Sequence, residues 1–317
     1  MEIKRVFITG MGGYVGQCLA RELDRLPACE AVAGMDVKEP LFKFDKARFT
    51  KMDINDPGLP DLVKDFAPDA VVHLAYMVQQ VHDEGLMHRV NVNGTENALA
   101  AAKKAGASRI VVTSSATAYG AFPDNPVPLR ESDPIRRHPT FPYARDKAEV
   151  EGILSRFAAE NPEIALSWVR PCVIYGPNVN NYISSLFTLP VAMDPKGTTP
   201  ILQFIHEDDV TAALLFLLRK DARGPYNLAP PDTVTVPEIN AMTKKPRVPM
   251  PYGVMKAVFK AAWALGLPVL KVPESFVDYV FYPWVVDPKK IMDLGFSFRY
   301  TSRETIRIML RAKNQIA

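Results

Sequence analysis

Three side chains that can move a proton are spaced for joint action in this chain. Tyr143 and Lys147 stand four positions apart, directly after Pro142, where the sequence predicts a helix over 143–159. Residues four apart share one face of a helix, so the phenol and the ammonium group lie side by side. A free phenol has a pKa of about 10, and a neighbouring positive charge favours its phenolate form. Tyr143 is therefore a candidate general acid/base, and Ser115, at the end of a predicted strand, can hydrogen-bond the same substrate oxygen.

A glycine-rich turn near the start of the chain predicts a phosphate-binding site. Residues 3–8 predict a strand, residues 9–16 (TGMGGYVG) a tight turn, and the residues from Cys18 onward a helix. Glycines let a pyrophosphate approach the backbone, and the free N–H groups of the helix N-terminus attract the anion. The spacing is Gly-x-x-Gly-x-x-Gly rather than the common Gly-x-Gly-x-x-Gly, and taken alone it also fits an ordinary turn.

An acidic residue at the end of the second predicted strand indicates which nucleotide is bound. Asp36 ends this strand twenty positions after Gly16. An acid at this distance hydrogen-bonds a ribose 2′-hydroxyl and repels a 2′-phosphate, which predicts NAD rather than NADP. The alternative is a solvated acid in a turn between strand and loop.

Strands alternate with helical stretches along the first half of the chain. Further strands are predicted at 47–52, 70–75 and 109–115, and a long helix at 84–106. This alternation predicts an α/β fold with a parallel sheet covered by helices on both faces. Ligands bind beyond the C-terminal ends of such strands. We therefore expect the following residues on one rim: Gly10 to Gly16, Asp36, Asp53, Ala75 and Ser115.

Composition excludes several classes of protein. The 317 residues carry a formal net charge of +3 without a dense block of like charge, which gives no electrostatic case for binding nucleic acid or an anionic membrane. Cys18, Cys29 and Cys172 lack metal-ligand spacing, so we expect reduced, buried thiols and no metal. No apolar run reaches the roughly 20 residues of a membrane-spanning helix. We expect a soluble cytoplasmic protein without a signal peptide.

Five segments in order between residue 3 and about residue 230 point to a known family. They are Thr9 to Gly16, Asn91 to Thr95 (NVNGT), Thr113 to Gly120 (TSSATAYG), Tyr143-x-x-x-Lys147 and Arg170 to Pro177 (RPCVIYGP). Together they resemble the extended short-chain dehydrogenase/reductases, the NAD-dependent epimerase/dehydratase group. The resemblance implies an NAD-binding Rossmann domain, a doubly wound parallel sheet over 1–170 whose core strands also return from segments near 200–230. It also implies a smaller, mostly C-terminal α/β substrate lobe over 171–317.

The resemblance further implies residue roles. Tyr143 is the acid/base, Lys147 is the ribose ligand that tunes the tyrosine pKa, and Ser115 is the ligand of the substrate oxygen. The implied contacts of NAD are Gly10, Gly12, Gly13, Tyr14, Val15, Gly16, Asp36, Asp53, Ile54, Leu74, Ala75, Tyr76, Asn91, Thr113, Ser114, Tyr143, Lys147, Pro171, Cys172 and Val173. The implied contacts of the substrate are Ser115, Ala116, Thr117, Tyr143, Val173 and Leu202. Members are commonly homodimers through the helices at about 84–104 and 143–159.

Departures from the family pattern narrow the activity. Sugar-nucleotide 4,6-dehydratases carry Asp and Glu where this chain has Ala116 and Thr117, so elimination by that mechanism is not expected. Sugar-nucleotide epimerases usually have an Asn at the position of Val173 and tend to have an Arg at that of Leu202, both near the substrate diphosphate. Each lost charge-assisted contact removes about 1.5–3 kcal/mol of diphosphate binding. We therefore expect a small-molecule substrate that is less polar than a nucleotide sugar.

Three functions fit these residues. The preferred interpretation is an NAD(H)-dependent oxidoreductase that transfers hydride between the nicotinamide and a secondary alcohol or ketone. The alternative is a nucleotide-sugar epimerase (UDP- or dTDP-hexose) that keeps its NAD bound. A catalytically silent NAD-binding regulator is the third, and the complete Ser115, Tyr143 and Lys147 set argues against it.

A predicted helix at 254–265 is less informative. Lys256 and Lys260 share one of its faces, and the remainder is apolar. The apolar part could line a substrate pocket, touch a membrane, or pack into the core or against a second subunit. We favour the packing interpretation.

Overall fold

Four of the five residues of the first strand are buried, as expected of an interior strand in a sheet that is covered on both faces. In the computed structural model, which describes residues 3–179, 181–267 and 272–316, the strands are β1 (Arg5–Thr9), β2 (Ala31–Asp36), β3 (Ala47–Lys51), β4 (Ala70–His73), β5 (Arg109–Thr113), β6 (Ala165–Pro171), β7 (Val173–Tyr175), β8 (Ala192–Lys196), β9 (Ile201–Leu202), β10 (Phe204–His206), β11 (Gly224–Leu228), β12 (Val234–Thr235) and β13 (Arg247–Pro251).

The helices over the same described residues include the predicted ones after the glycine turn, at 143–159 and at 254–265. They are α1 (Tyr14–Arg25), α2 (Leu59–Phe66), α3 (Glu84–His88), α4 (Gly94–Lys104), α5 (Pro142–Glu160), α6 (Tyr182–Leu186), α7 (Glu207–Arg219), α8 (Val236–Thr243), α9 (Tyr252–Ala264), α10 (Asp278–Phe281), α11 (Lys289–Asp293) and α12 (Ser302–Ala312). None of these helices is long and apolar enough to cross a membrane.

The main sheet has seven parallel strands in the order β11-β6-β5-β4-β1-β2-β3. The chain runs outward from β1 in one direction through β2 and β3, then returns to β4 on the other side of β1. This reversal is the topological switch point of a doubly wound sheet. The predicted α/β Rossmann fold is confirmed.

Alternating side chains of the strands supply two separate cores. Val6 and Ile8 pack with residues of α1 and α7 on one face, whereas Phe7 packs with residues of α2, α4 and α5 on the other. Successive strand side chains point to opposite faces, so an all-apolar strand requires helices on both sides. Cys18, Cys29 and Cys172 are buried and form no disulfide bond, as predicted.

The smaller strands lie outside the main sheet. β10 pairs with β7, β12 with β9, and β13 with β8, each as a two-stranded ribbon. The last four helices, α9 to α12, follow them in the chain. β11 and α7, by contrast, extend the main sheet and its helical layer although they lie beyond residue 200.

Two predicted elements differ in the structure. The predicted helix over 84–106 is interrupted by a wider π-helical turn at Arg89–Asn93, which turns Asn91 inward, where it is fully buried. The proline-rich stretch near residue 249, where no strand is predicted, includes strand β13, which pairs in parallel with β8. Proline lacks only the N–H group, and in a two-stranded ribbon half of the backbone groups face away from the partner strand.

Candidate active site

The glycine turn after β1 lies at the switch point and leaves no room for side chains. A Cβ at Gly10 would lie 2.6 Å from the nitrogen of Ala75, and one at Gly16 would lie 2.1 Å from the oxygen of Gly10. Gly10 also has a φ of +77°, a conformation natural to glycine. Gly13 caps helix α1 without a side-chain hydrogen bond, so the first N–H groups of the helix stay open to a ligand.

The Asp36 side chain is hydrogen-bonded to the glycine turn. Its two carboxylate oxygens accept hydrogen bonds from the backbone N–H groups of Gly12 and Lys38, each at 3.1 Å. The Lys38 side chain is exposed and lines the cleft above α1. Asp36 itself is half-buried beside that cleft.

The proton-moving residues meet on the opposite wall of the same cleft. Tyr143 stands in the first turn of α5, after Pro142, and is 7% exposed. Ser115 begins the short 3₁₀ helix Ala116–Tyr119, and its Oγ accepts hydrogen bonds from Thr117, at 3.2 Å from the backbone nitrogen and 2.8 Å from Oγ1. Tyr143 and Ser115 line the same cleft, and the hydrogen-bonding effect of the Ser115 hydroxyl lowers the pKa of Tyr143. The structure therefore brings these two hydroxyls to the same part of the cleft.

Burial controls the charge of the pair Tyr143 and Lys147. It raises the pKa of Tyr143 well above its usual value, and the hydrogen bond from Ser115 opposes this only in part. The Lys147 ammonium is fully buried, donates to the Thr113 carbonyl at 2.9 Å and lies against the Tyr76 ring. Burial lowers the pKa of Lys147, while the carboxylates of Glu151 and Asp146 oppose the shift. Without a ligand, the phenol is held in its protonated, proton-donating form.

A buried network fixes the strand ends that carry these residues. Glu151 on α5 accepts hydrogen bonds from Ser114 at 2.6 Å, from the Trp168 indole at 2.7 Å and from Arg170 at 2.7 and 3.0 Å. Arg170 also contacts the hydroxyl of Tyr119. The buried ion pair is bidentate, so its charges are satisfied and its geometry is fixed. It ties β5 and β6 to α5 directly beneath the cleft.

Asn91 links the loop after β4 to helix α5 by hydrogen bonds. Its side-chain oxygen accepts from the backbone of Met77 at 2.8 Å, and its nitrogen donates to Asp146 at 3.1 Å. The loop after β4 is thereby fastened to α5. His73 is buried between the hydroxyls of Thr9 and Thr95, at 2.7 and 3.1 Å, and burial lowers its pKa to about 3.

The cleft encloses about 370 Å³ and collects most of the sequence-predicted residues. The predicted residues that line it are Gly10, Gly13, Tyr14, Val15, Gly16, Leu74, Tyr76, Thr113, Ser114, Ser115, Thr117, Tyr143, Lys147, Pro171, Cys172 and Val173. The predicted residues outside its lining are Gly12, Asp36, Asp53, Ile54, Ala75, Asn91, Ala116 and Leu202. Of these, Asp53 accepts from the backbone of Asn55, and Ile54 packs against Gly94.

Several lining residues escaped the sequence analysis. They are Lys38, Val78, Gln79, Ile174, Val179, Asn181, Ile183 and Trp284. Most come from loops or from the C-terminal third, where no local pattern signals a ligand contact. Lys38 is an exception, because its position two residues after Asp36 is a sequence signal for a contact at the same end of the cleft.

An apolar pocket adjoins the cleft and shares Val173, Ile183 and Trp284 with it. It has a volume of about 100 Å³. Its other lining residues are mostly apolar: Leu186, Phe187, Val191, Ala192, Met193, Leu202, Phe204, Val236, Asn240, Thr243, Lys245, Met255, Phe276, Tyr279 and Val280. Among the described residues, no arginine lines either the cleft or the pocket.

These features define a class: a Rossmann-fold protein with a phosphate-accepting glycine turn and a Ser-Tyr-Lys site at the switch point. The model of the NAD-dependent epimerase/dehydratase family matches residues 6–229. The chain belongs to this family. The described residues hold no cluster of three or more His, Cys, Asp or Glu side chains that could bind a metal.

Known proteins similar to this chain fall into two groups. An uncharacterized protein of Mycobacterium tuberculosis is 26% identical and aligns over 98% of this chain and 84% of its own length. The UDP-glucose 4-epimerase of Mycolicibacterium smegmatis is 33% identical over 186 residues, which cover 55% of this chain and 57% of that enzyme.

Solved structures show the same fold along the whole chain. MoeE5 in complex with UDP-glucuronic acid and NAD has a TM-score of 0.74 at 24% identity, over 98% of this chain and 99% of that one. The Thermus thermophilus UDP-glucose 4-epimerase complex with NAD has a TM-score of 0.73 at 22% identity, with the same coverage.

Proposed function

We propose that this protein binds NAD(H) in the cleft and transfers hydride between it and a secondary alcohol or ketone whose remainder is apolar. The observation that carries the proposal is that Ser115, Tyr143 and buried Lys147 line one cleft, which adjoins an apolar pocket. The glycine turn, the family and the complexes with NAD of similar folds support the cofactor.

The residues present fit a dinucleotide. The close approach of Gly10 to Ala75 and of Gly16 to Gly10 leaves a backbone cradle for a pyrophosphate at the start of α1. We assign Asp36 to the adenosine ribose and Lys147 to the nicotinamide ribose. NAD(H), when bound, supplies or accepts the hydride.

The side chains would handle the proton. In the reductive direction the substrate carbonyl receives the hydride at its carbon and the phenol proton of Tyr143 at its oxygen, which yields the alcohol. Ser115 orients that oxygen by a hydrogen bond, and Thr117 in turn holds the Ser115 hydroxyl at 2.8 Å. The positive charge of Lys147 stabilises the phenolate left on Tyr143 until solvent returns the proton.

The pocket lining supports an apolar substrate. Val173 and Leu202 line it at the positions where epimerases of the family usually carry a diphosphate-binding Asn and tend to carry an Arg. Lys245, a cation of the pocket, is occupied, because its Nζ donates to the Phe187 carbonyl at 2.6 Å. A diphosphate entering here would lose its water without gaining charged partners.

The test is a panel of apolar ketones with NADH and of the matching secondary alcohols with NAD, followed by NADH absorbance. The wild-type protein is expected to turn over at least one pair, and Tyr143→Phe to lose about 10³-fold or more in rate while it still binds NADH. Leu202→Arg is expected to raise the KM for the apolar substrate, because a charged side chain then lines the apolar pocket. Full activity of Tyr143→Phe would contradict the assignment of the acid/base.

A nucleotide-sugar epimerase is the second candidate, because similar proteins include UDP-glucose 4-epimerases. The same tyrosine would then serve oxidation and re-reduction of one sugar carbon, with no net change in NADH. Calorimetry with UDP-glucose and dTDP-glucose separates the two candidates. Micromolar binding of either sugar nucleotide would favour epimerisation, and binding of NAD without any hydride exchange would favour a silent regulator.

A further inference from the structure

The charge of the chain is unevenly distributed, so the expectation from the net charge, that no segment favours an anionic membrane, is wrong for one segment. Residues 239–273 contain six Lys or Arg residues and no Asp or Glu, whereas the whole chain carries a net charge of only +3. The remainder of the chain is therefore net negative. This basic segment includes β13 and α9. Its sixth base, Lys271, lies outside the described residues.

Helix α9 in this segment has two apolar faces. The inner face, Met255, Phe259 and Ala262, is buried. The outer face, which we call the α9 face, consists of Val254, Ala257, Val258, Ala261 and Leu265, and all five are exposed. Val254 is 51% exposed, Val258 37% and Leu265 73%. Their spacing of three and four residues places them in one stripe, so the stripe presents a continuous apolar surface to solvent.

The charges around the α9 face are positive. Lys260 on the helix and Lys244 and Arg247 just before it are exposed, and none forms an ion pair with another described residue. Lys256 differs, because its Nζ lies 3.3 Å from Asp278, a mostly buried acid that also bonds Tyr252 and His138. Acids also lie near the helix: half-buried Glu274 and exposed Glu84 line a pocket with Trp263, and Glu84 is paired with Arg145. Asp194 lies on β8, which pairs with β13 just before α9.

We propose that the α9 face docks the protein on a membrane surface that contains anionic lipids. A helix with exposed Val and Leu side chains and flanking Lys and Arg residues lies in the headgroup layer, where apolar burial and electrostatic attraction act together. A second copy of this chain fits less well, because two α9 faces would bring like charges together.

The inner face of α9 connects this surface to the active site. Met255 lines the apolar pocket beside the cleft, so a single helix separates that pocket from the docking surface. A docked enzyme would thus hold its pocket next to the lipid layer. This connection alone rests on the proposed function; the docking itself rests on exposure and charge.

The test is co-sedimentation of the full-length protein with two kinds of vesicle. One is phosphatidylcholine alone, and the other is phosphatidylcholine and phosphatidylglycerol in equal parts. We expect binding to the anionic vesicles that is lost at high salt. Val258→Asp with Leu265→Asp should weaken binding about tenfold or more. Arg247→Gln with Lys260→Gln should weaken it roughly fivefold for each charge removed.

Matched controls lie in the N-terminal part of the chain, more than 200 residues before α9 in the sequence. Leu41, 87% exposed in the loop after β2, and the exposed Lys51 test the same changes away from α9. Leu41→Asp and Lys51→Gln should leave vesicle binding unchanged. NADH binding by every variant reports that it is folded, so the result does not depend on a known substrate.

Three outcomes would overturn the proposal. They are absent binding of the wild-type protein to anionic vesicles, equal binding of the Val258→Asp, Leu265→Asp variant, and equal loss in the Leu41→Asp control. A dimer in light scattering that Leu265→Asp dissociates, without vesicle binding, would assign the α9 face to a second copy instead. None of these results would affect hydride transfer, so the two proposals fail separately.

Discussion

At the scale of single residues, the site depends on how burial and charge divide between Tyr143 and Lys147. Burial raises the pKa of the phenol and lowers that of the ammonium group, so each residue needs a partner to reach its reactive form. The carboxylates of Glu151 and Asp146 oppose the lowering of the Lys147 pKa. On the proposed mechanism, a charged Lys147 favours the phenolate and so sets the pH at which Tyr143 can accept a proton.

Replacing the lysine tests this coupling. Lys147→Met keeps the length of the side chain but removes its charge, so the apparent pKa for alcohol oxidation should rise by one unit or more, with a rate loss of about 10²–10⁴-fold at neutral pH. The measurement is the pH profile of kcat. Lys51→Met, at an exposed site, is the control. A lower rate with an unshifted pH profile of kcat would mean that Lys147 acts as a ribose ligand and does not tune the pKa of Tyr143.

Asp36 is proposed to set the preference for NAD over NADP. Its carboxylate accepts from Gly12 and Lys38 at 3.1 Å, and its charge repels a 2′-phosphate. Asp36→Asn should weaken NADH binding by about tenfold and narrow the preference for NADH over NADPH, since exposed Lys38 in the cleft then meets the phosphate without a competing acid. Fluorescence titration with both cofactors measures this. Tighter binding of NADPH to the wild-type protein would contradict the assignment.

At the scale of elements, the turn between β1 and α1 tolerates no added carbon. A Cβ at Gly16 would lie 2.1 Å from the Gly10 oxygen, whereas a Cβ at Gly152 within α5 has its nearest neighbour at 3.8 Å, the flexible end of Arg156. Gly16→Ala should therefore destabilise the fold by about 2 kcal/mol or more and abolish NADH binding. Gly152→Ala should stabilise it by about 0.5–1 kcal/mol. Thermal unfolding of both variants provides the comparison, and equal effects would exclude a specific clash.

Elements with strong local patterns could be predicted from the sequence. Strand β5 at Arg109–Thr113 is predicted by its run of apolar residues, and helix α5 at Pro142–Glu160 by the proline at its start. The bounds of both elements agree with the prediction to within two residues. The π-helical turn at Arg89–Asn93 could not be predicted, because it depends on the contacts of Asn91 with Met77 and Asp146, which lie 14 and 55 residues away. For the same reason, the positions of Trp284 and Val179 in the lining of the cleft could not be predicted from the sequence.

At the scale of the whole molecule, the predicted homodimer stays a prediction. Leu86 in α3, 37% exposed, is the sort of apolar contact that such an interface uses. α4 and α5 otherwise present polar residues such as Glu96, Glu149 and Arg156 to solvent. An interface there would be largely polar.

One contribution to the pH dependence of stability should come from a buried acid, Glu207 at the start of α7. Its Oε1 accepts from Asn178 at 2.9 Å, while Oε2 is buried against Gly176 without a hydrogen bond from any described residue. Burial, with the nearby charge of Asp208, raises the pKa of Glu207 to about 7. In the unfolded chain a glutamate has a pKa of about 4.3. The folded state therefore binds this proton more tightly, and the cost of ionising it develops between about pH 4.3 and pH 7.

Glu207→Gln removes that cost. Near pH 8 the variant should exceed the wild type by about 2–3 kcal/mol in the free energy of unfolding, because the buried charge is absent, and the difference should shrink towards pH 5, where the wild-type carboxyl is protonated. Denaturant titrations across this range measure it. Glu163→Gln, at an exposed site on the loop before β6, is the matched control and should show no such trend. A constant difference at every pH would mean that Glu207 acts through packing against Gly176 rather than through its charge.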